Sequence, residues 1–287
     1  RIMRAAARLG VPLTFRAAGT SLSGQAVSDS VLVVAGKHWE RCEVLDGGRA
    51  VRLQPGVVGA RVNEVLKPFG YRFPPDPASI RSAMAGGIVM NNASGMNCGT
   101  HANSDRMLLS ARLVLADGTL LDTGDEASRR DFSRSHGEFL RAVEALRDWV
   151  RGDEALTRRI LHKYSIKNIA HLMVGSEGTL AFLAGVTMRT EREYEHKASA
   201  MVYFSDIGEA SRAVVEMRKL QDAAGERIVH SAEMLDSKSL ASVGDATGEG
   251  LTAVLTETKA HTPEELAANV ARIGELLERF ALYVPAR

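Results

Sequence analysis

Cysteine is nearly absent. Cys42 and Cys98 are the only two in 287 residues, and they form no CxxC. The eight histidines are scattered, without an HExxH pattern. These absences argue against a zinc or iron–sulfur site held by the chain's own residues. Two isolated cysteines also give no sign of an oxidising compartment. Charge of one sign is missing too: Lys plus Arg is 36 and Asp plus Glu is 35, a net +1. That balance leaves no electrostatic footprint for nucleic acid. Long apolar runs are absent. The longest stretch free of Asp, Glu, Lys and Arg, Ser82 to Ser104, is full of Asn, Ser and Gly. It does not read as a transmembrane segment. A long uncharged, glycine-rich stretch instead suggests backbone wrapped closely around something. No signal peptide is visible, and Arg1 already sits inside a helical pattern, as in a fragment; an earlier leader is compatible with that.

What remains is an ordinary globular composition, 45% apolar and 25% charged, long enough for two domains. Residues 1–9 read as a helix stopped by Gly10 and Pro12, followed by the strand VPLTF. VLVVAG (31–36) and AVRLQPG (50–56) read as strands, and residues 57–70 carry apolar side chains at helical spacing. LLSARLVLADGTLLDTG (108–124) is a hairpin turning at Asp117-Gly118. Residues 136–161 form a charged amphipathic helical stretch, and 172–190 a turn segment ending in a strand. After the charged patch TEREYEHK (190–197) the pattern becomes strand–helix–strand, then strand–helix. The last helix starts at Pro263, with Thr262 and Glu265 spaced as a capping box. This is an α+β chain with a boundary near 193–198, so that 1–195 and 196–287 are separate domains, the second lacking its final elements.

Three loops carry chemistry. The first, FRAAGTSLSGQ (15–25), has the glycine spacing of a P-loop at Gly19 and Gly24. Gln25 and Ala26 then stand where Lys and Ser/Thr are needed, so a nucleotide triphosphatase is excluded. Ser21 followed by Leu22-Ser23-Gly24 is no nucleophile elbow either. What survives is a concave array of backbone N–H groups and hydroxyls (Thr20, Ser21, Ser23), with Arg16 adding charge, suited to phosphate or pyrophosphate. The second, residues 74–99, offers Gly86, Gly87 and Gly95 for close approach, and Asn91, Asn92 and Ser94 as polar partners for a planar ring. The third is GSEGTL (175–180). Taken alone, each is also what an ordinary turn looks like. GEGLTA (248–253) precedes a strand and is rejected as a dinucleotide fingerprint. His101, beside the second loop, reads as a partly exposed structural residue, and His162 and Lys163 as solvated.

In order and spacing the loops resemble the FAD-binding domain of the vanillyl-alcohol oxidase / p-cresol methylhydroxylase (PCMH) superfamily. They are most similar to the FAD-linked D-lactate, glycolate and D-2-hydroxyglutarate dehydrogenases. The carrying residues are RAAGTSLSG (16–24), PDPAS (75–79), GGIVMNNASGMNCG (86–99), LADGTLLDTG (115–124), HKYSIKN (162–168) and HLMVGSEGTL (171–180). NNASGMNCG together with HKYSIKN resembles the large members fused to, or partnered with, an iron–sulfur segment. The resemblance implies a PCMH-type FAD-binding domain of two α+β subdomains, its first strands missing, followed by a partial, ferredoxin-like α+β cap domain over the substrate. Arg16, Ala18, Gly19, Thr20, Ser21, Leu22, Ser23 and Gly24 would hold the FAD pyrophosphate. Pro75, Asp76, Ser79, Gly86, Gly87, Asn91, Asn92, Ser94, Gly95 and Met96 would line the isoalloxazine and ribityl region. Glu177, Gly178, Thr179, Leu180 and Phe182 would close over the cofactor.

The implied reaction is oxidation of a small D-2-hydroxy acid by hydride transfer to flavin N5. Electrons would pass to an iron–sulfur partner, a cytochrome or a quinone. A non-catalytic FAD-binding subunit of a multi-chain dehydrogenase is the alternative, and a UDP-sugar enolpyruvyl reductase is disfavoured by PDPAS and HKYSIKN. A cytoplasmic location is expected, with peripheral membrane association compatible. Two departures stand out. Asn168 runs almost directly into Ile169-Ala170-His171, where family members have a longer stretch, and the family's GTLG reads Gly178-Thr179-Leu180-Ala181. No residue here is a convincing general base, none is named catalytic, and no metal ligand is expected.

Overall fold

The structure is a computed structural model that describes residues 1–99, 101–163, 169–244 and 250–283. Residues 164–168 of HKYSIKN, the junction at Asn168, and the first two residues of GEGLTA lie outside these, as do the side chains of His162 and Lys163. The chain divides into two compact units, Arg1–Arg192 and Glu193–Arg287.

The first unit opens with α1 (Ile2–Leu9), β1 (Leu13–Arg16) and β2 (Val31–Val34), the two strands pairing in parallel. Then come β3 (Cys42–Leu45), β4 (Ala50–Leu53), α2 (Gly59–Leu66), β5 (Tyr71–Arg72), α3 (Ala85–Asn91) and α4 (Ser104–Met107). The hairpin β6 (Leu108–Val114) and β7 (Leu120–Asp122) follows, then α5 (Glu126–Ser135), α6 (Gly137–Gly152), α7 (Glu154–Lys163), α8 (Ile169–Met173), β8 (Phe182–Arg189) and β9 (Glu191–Arg192). Five strands make an antiparallel sheet in the order β3-β4-β8-β6-β7. Alternation puts Val51 and Leu53 of β4, Leu113 of β6, and Val186 and Met188 of β8 into one core. Val62 and Leu66 of α2, Ile88 and Val89 of α3, Phe132 of α5 and Met173 of α8 join it. A fully buried side chain such as Leu66 contributes about 2 kcal/mol.

Two contacts fix the loop after β1. Phe15 of β1 packs on Phe182 of β8 with ring centroids 4.6 Å apart, and Trp39 meets Phe182 edge-on at 5.2 Å. The end of β1 is thereby held against the start of β8, although the two strands belong to different sheets.

The second unit runs β10 (His196–Phe204), α9 (Ile207–Met217), β11 (Ser231–Leu235), α10 (Ser237–Ser242), β12 (Thr252–Ala260), α11 (Pro263–Leu277) and β13 (Leu282–Tyr283). Its sheet has the order β11-β12-β10-β13, all antiparallel. With the short α10 set aside, this is a β-α-β-β-α-β split arrangement. Phe204, Val254, Ala213, Met217, Ile273 and Leu277 form its core. Asp206 caps α9, and Thr262 with Glu265 forms the capping box of α11. The sequence reading ends this unit at α11; the structure adds β13, whose two residues pair with Tyr203 and Phe204.

Candidate cofactor-binding site

The three loops meet in one cleft of about 380 Å³ within the first unit. The loop after β1 forms one wall. Between Ala18 and Ala26 no backbone N–H donates to an acceptor among the described residues. The hydroxyls of Thr20, Ser21 and Ser23 are likewise uncommitted there, and Arg16 has no carboxylate partner among the described residues. Oε1 of Gln25, which also lines the cleft, is buried without a hydrogen-bond partner.

The other wall is α3, which the sequence reading took for a loop. Its first N–H groups are already satisfied: Ala85 donates to the Val57 carbonyl at 2.7 Å and Gly86 to the Pro55 carbonyl at 2.9 Å. The GSEG loop is fastened to the far end of the same helix. The Glu177 N–H donates to the Met90 carbonyl at 2.9 Å, and the Asn91 amide donates to Oε1 of Glu177 at 2.5 Å. The PDPAS loop is tied to α2 by the Ala60 N–H, which donates to the Ile80 carbonyl at 2.9 Å.

Of the residues named from sequence, Arg16, Ala18, Gly19, Thr20, Ser21, Leu22, Ser23, Ser79, Gly86, Gly87, Asn91, Ser94, Glu177, Gly178 and Phe182 line the cleft. The rest lie outside its lining. Gly24 turns the first loop, its carbonyl accepting from the Val27 N–H at 3.1 Å. Pro75 is buried, and the Asp76 carboxylate accepts from the Asn97 amide at 2.9 Å. The Asn92 amide exchanges two hydrogen bonds with Asp105, at 3.1 and 3.2 Å. The Gly95 N–H donates to Sγ of buried Cys98 at 3.0 Å, and Met96 lies in the same turn. Thr179 donates to the Ser176 carbonyl at 2.6 Å, and Leu180 is exposed. His101 also lies outside the cleft lining and pairs with Glu191 at 3.5 Å. Sequence reasoning missed Phe15, Met84, Met90 and Gln25 as lining residues. The failed lysine position at Gln25 was the one signal available.

Residues 1–124 match the family model for the FAD binding domain. The chain is 26% identical over 250 residues to D-2-hydroxyglutarate dehydrogenase of Escherichia coli, a match covering 79% of this chain and 24% of that protein. Glycolate oxidase subunit GlcD of E. coli is 34% identical over 122 residues, covering 42% of this chain and 24% of the relative. D-lactate dehydrogenase of Archaeoglobus fulgidus is 25% identical over 219 residues, covering 76% and 42%. The chain thus spans about a quarter of the E. coli relatives. Among solved structures, an alkyldihydroxyacetonephosphate synthase superposes with a TM-score of 0.68 at 15% identity, covering 99% of this chain and 49% of that one. A xylooligosaccharide oxidase from Myceliophthora thermophila gives 0.63 at 15%, covering 99% and 50%. These likenesses show the fold. The family resemblance drawn from the six motifs and the α+β class both hold.

FAD suits the cleft on its own chemistry. A pyrophosphate needs several convergent N–H and O–H donors, and the wall from Ala18 to Ala26 supplies them uncommitted. The buried acceptor of Gln25 lacks a donor, which a sugar or ribityl hydroxyl of the cofactor would supply. Among the described residues there is no group of three or more His, Cys, Asp or Glu that could hold a metal, and no helix is long and apolar enough to cross a membrane.

Proposed function

We propose that this chain is part of an FAD-dependent dehydrogenase acting on a small D-2-hydroxy acid of the D-2-hydroxyglutarate, D-lactate or glycolate class. The observation that carries this is the cleft, where a donor-rich, uncommitted loop faces a glycine-lined helix. The sequence likeness to hydroxy-acid dehydrogenases supports the substrate class. When bound, FAD supplies the two-electron acceptor that no side chain provides. The residues of the first unit bind and orient it. The loop from Ala18 to Gly24, with Arg16, holds the pyrophosphate. Gly86 and Gly87 of α3, with Asn91 and Ser94, line the ring and ribityl side. Glu177 and Gly178 close the cleft from the end of α3. Electrons leave to a separate acceptor, an iron–sulfur protein among the candidates.

The test is a flavin-bleaching screen of the full-length protein against D-lactate, glycolate and D-2-hydroxyglutarate. Stoichiometric flavin that bleaches anaerobically with one of the three is expected. Purified protein without flavin absorbance, and none after reconstitution, ends the reading.

A further inference from the structure

The first unit shelters an ion pair. Arg72 on β5 stands directly opposite Glu191 on β9, and its guanidinium meets Oε2 of Glu191 at 2.5 Å. The two side chains are only 12% and 23% exposed. His101, itself exposed, approaches the other oxygen of Glu191 at 3.5 Å. Stability does not explain a pair this sheltered. Desolvating both charges offsets their attraction, and apolar residues of the same volume would pack as well. The guanidinium is not fully satisfied either: its Nε is buried without a hydrogen-bond partner among the described residues. Such an orphan donor needs a reason, and the reason lies in what the other end of the guanidinium holds.

The nitrogen that meets Glu191 also donates to the Asn97 carbonyl at 3.4 Å. Asn97 lies in the turn after α3, and its amide donates to the Asp76 carboxylate of the PDPAS loop at 2.9 Å. The backbones of the two loops touch: a Cβ on Gly95 would fall 1.6 Å from the Asp76 carbonyl oxygen. Sγ of Cys98 closes the turn from within, accepting from the Gly95 N–H at 3.0 Å. Next to Gly95 and Asp76 along the chain are Ser94 and Pro77, which line the cleft, as does Ser79. Arg72 thus ties β9 to a turn that is locked onto the PDPAS loop, and both segments run on into cleft-lining residues.

We infer that Arg72, held by Glu191, is a positioning residue for the cofactor. It does not itself line the cleft. It fixes the Asn97 turn, which together with the PDPAS loop sets Ser94, Pro77 and Ser79 at one edge of the cleft before FAD binds. A site ordered in advance loses less binding energy to the ordering of its loops, so removal of the pair weakens FAD binding more than it lowers stability. This rests on the reading of the cleft as an FAD site.

The experiment uses the full-length protein and a double variant, Arg72→Met with Glu191→Met, which removes both charges and orphans neither. Arg72→Lys and the core variant Val62→Ala serve as controls. FAD is titrated into deflavinated protein by flavin fluorescence quenching, and amide hydrogen exchange is followed over the 75–79 and 94–99 segments. The double variant should bind FAD about tenfold more weakly, with faster exchange in both segments. Arg72→Lys keeps a cation between Glu191 and the Asn97 carbonyl and should recover most of the affinity and the protection. Val62→Ala should lower the melting temperature through its cavity without a comparable loss of FAD. Unchanged FAD affinity in the double variant overturns the proposal, whatever the exchange shows. An equal loss of affinity in Val62→Ala overturns it too, because general destabilisation then accounts for the effect. So does failure of Arg72→Lys to restore either readout. Arg72→Gln is read by the same criteria where the double variant does not fold. Wild type that takes up no FAD, but whose loop exchange depends on the pair, keeps the clasp and overturns the cofactor reading instead.

Discussion

The guanidinium of Arg16 packs across the backbone of Gly19, so closely that a Cβ on Gly19 would overlap it. Gly19 also sits at φ +74°, and Gly24 at φ +79°, but a Cβ on Gly24 would meet nothing within 4 Å. The pair separates two effects. Alanine at either site carries left-handed strain of about 1–2 kcal/mol. Only Gly19→Ala also displaces the arginine from the wall of the cleft. Both variants should therefore melt a few degrees lower, while FAD retention, read as the flavin-to-protein absorbance ratio after dialysis, should fall much further in Gly19→Ala. Equal losses would show that Arg16 has no part in holding the cofactor.

Gly86 and Gly87 are adjacent in α3 but face different constraints. A Cβ on Gly86 would lie 2.6 Å from Cβ of Pro55, whose carbonyl its own N–H needs. A Cβ on Gly87 would make an ordinary 3.7 Å contact with Ala17. Gly86→Ala should cost about 1–3 kcal/mol by overpacking. Gly87→Ala should be neutral or gain up to about 1 kcal/mol from helix propensity. Urea midpoints of the two variants check this, and a reversed order would mean that α3 does not dock on Pro55 as described.

The same helix shows where sequence reading ran short. The hairpin at Asp117-Gly118 and the capping box at Thr262 and Glu265 were legible because their signals are local: turn chemistry and a three-residue spacing. α3 was not. Two glycines and an asparagine in its seven residues, with Asn92 directly after them, read as a loop. What makes them a helix is tertiary: Ala85 and Gly86 find their acceptors on Val57 and Pro55, and Asn92 caps the end in a left-handed turn. The clustering of Phe15, Trp39 and Phe182, distant in sequence, was equally invisible. The binding loops themselves were legible as a set, because small residues and hydroxyls without apolar partners have no packing purpose. Gln25 was seen only as a missing lysine, since the burial of its Oε1 depends on how the cleft closes.

Asn92, outside the cleft lining, sits at φ +53°, and its amide both donates to the Asp105 carboxylate and accepts from the Asp105 N–H. Asp105 is 5% exposed, so water does not replace a lost partner. Asn92→Ala should lose about 1–2 kcal/mol to backbone strain. It should lose about 1–3 kcal/mol more with the two Asp105 hydrogen bonds. Asn92→Gly keeps the backbone geometry and should show only the second loss. Denaturant titration of both variants measures the difference directly, and identical midpoints would place the whole effect in the hydrogen bonds.

Asp117 supplies the pH-dependent element of the hairpin turn. Its carboxylate accepts from the Thr119 N–H at 2.8 Å and from the Thr119 hydroxyl at 2.7 Å, and it meets Nε2 of His136 at 3.1 Å. Chiefly through the Thr119 N–H, then the hydroxyl, its pKa is lowered from 3.8 to about 2. A carboxylate held below its unfolded value stabilises the fold above that value, and the contribution fades as pH falls from 3.8 towards 2. Asp117 is more than half exposed, so solvent screening keeps the effect small. Asp117→Asn retains an oxygen for the Thr119 N–H but cannot titrate. The urea midpoint of the wild type should therefore exceed that of the variant above about pH 4, and the two should converge near pH 2. A gap of constant size across that range would mean that the turn, and not the charge, carries the stabilisation.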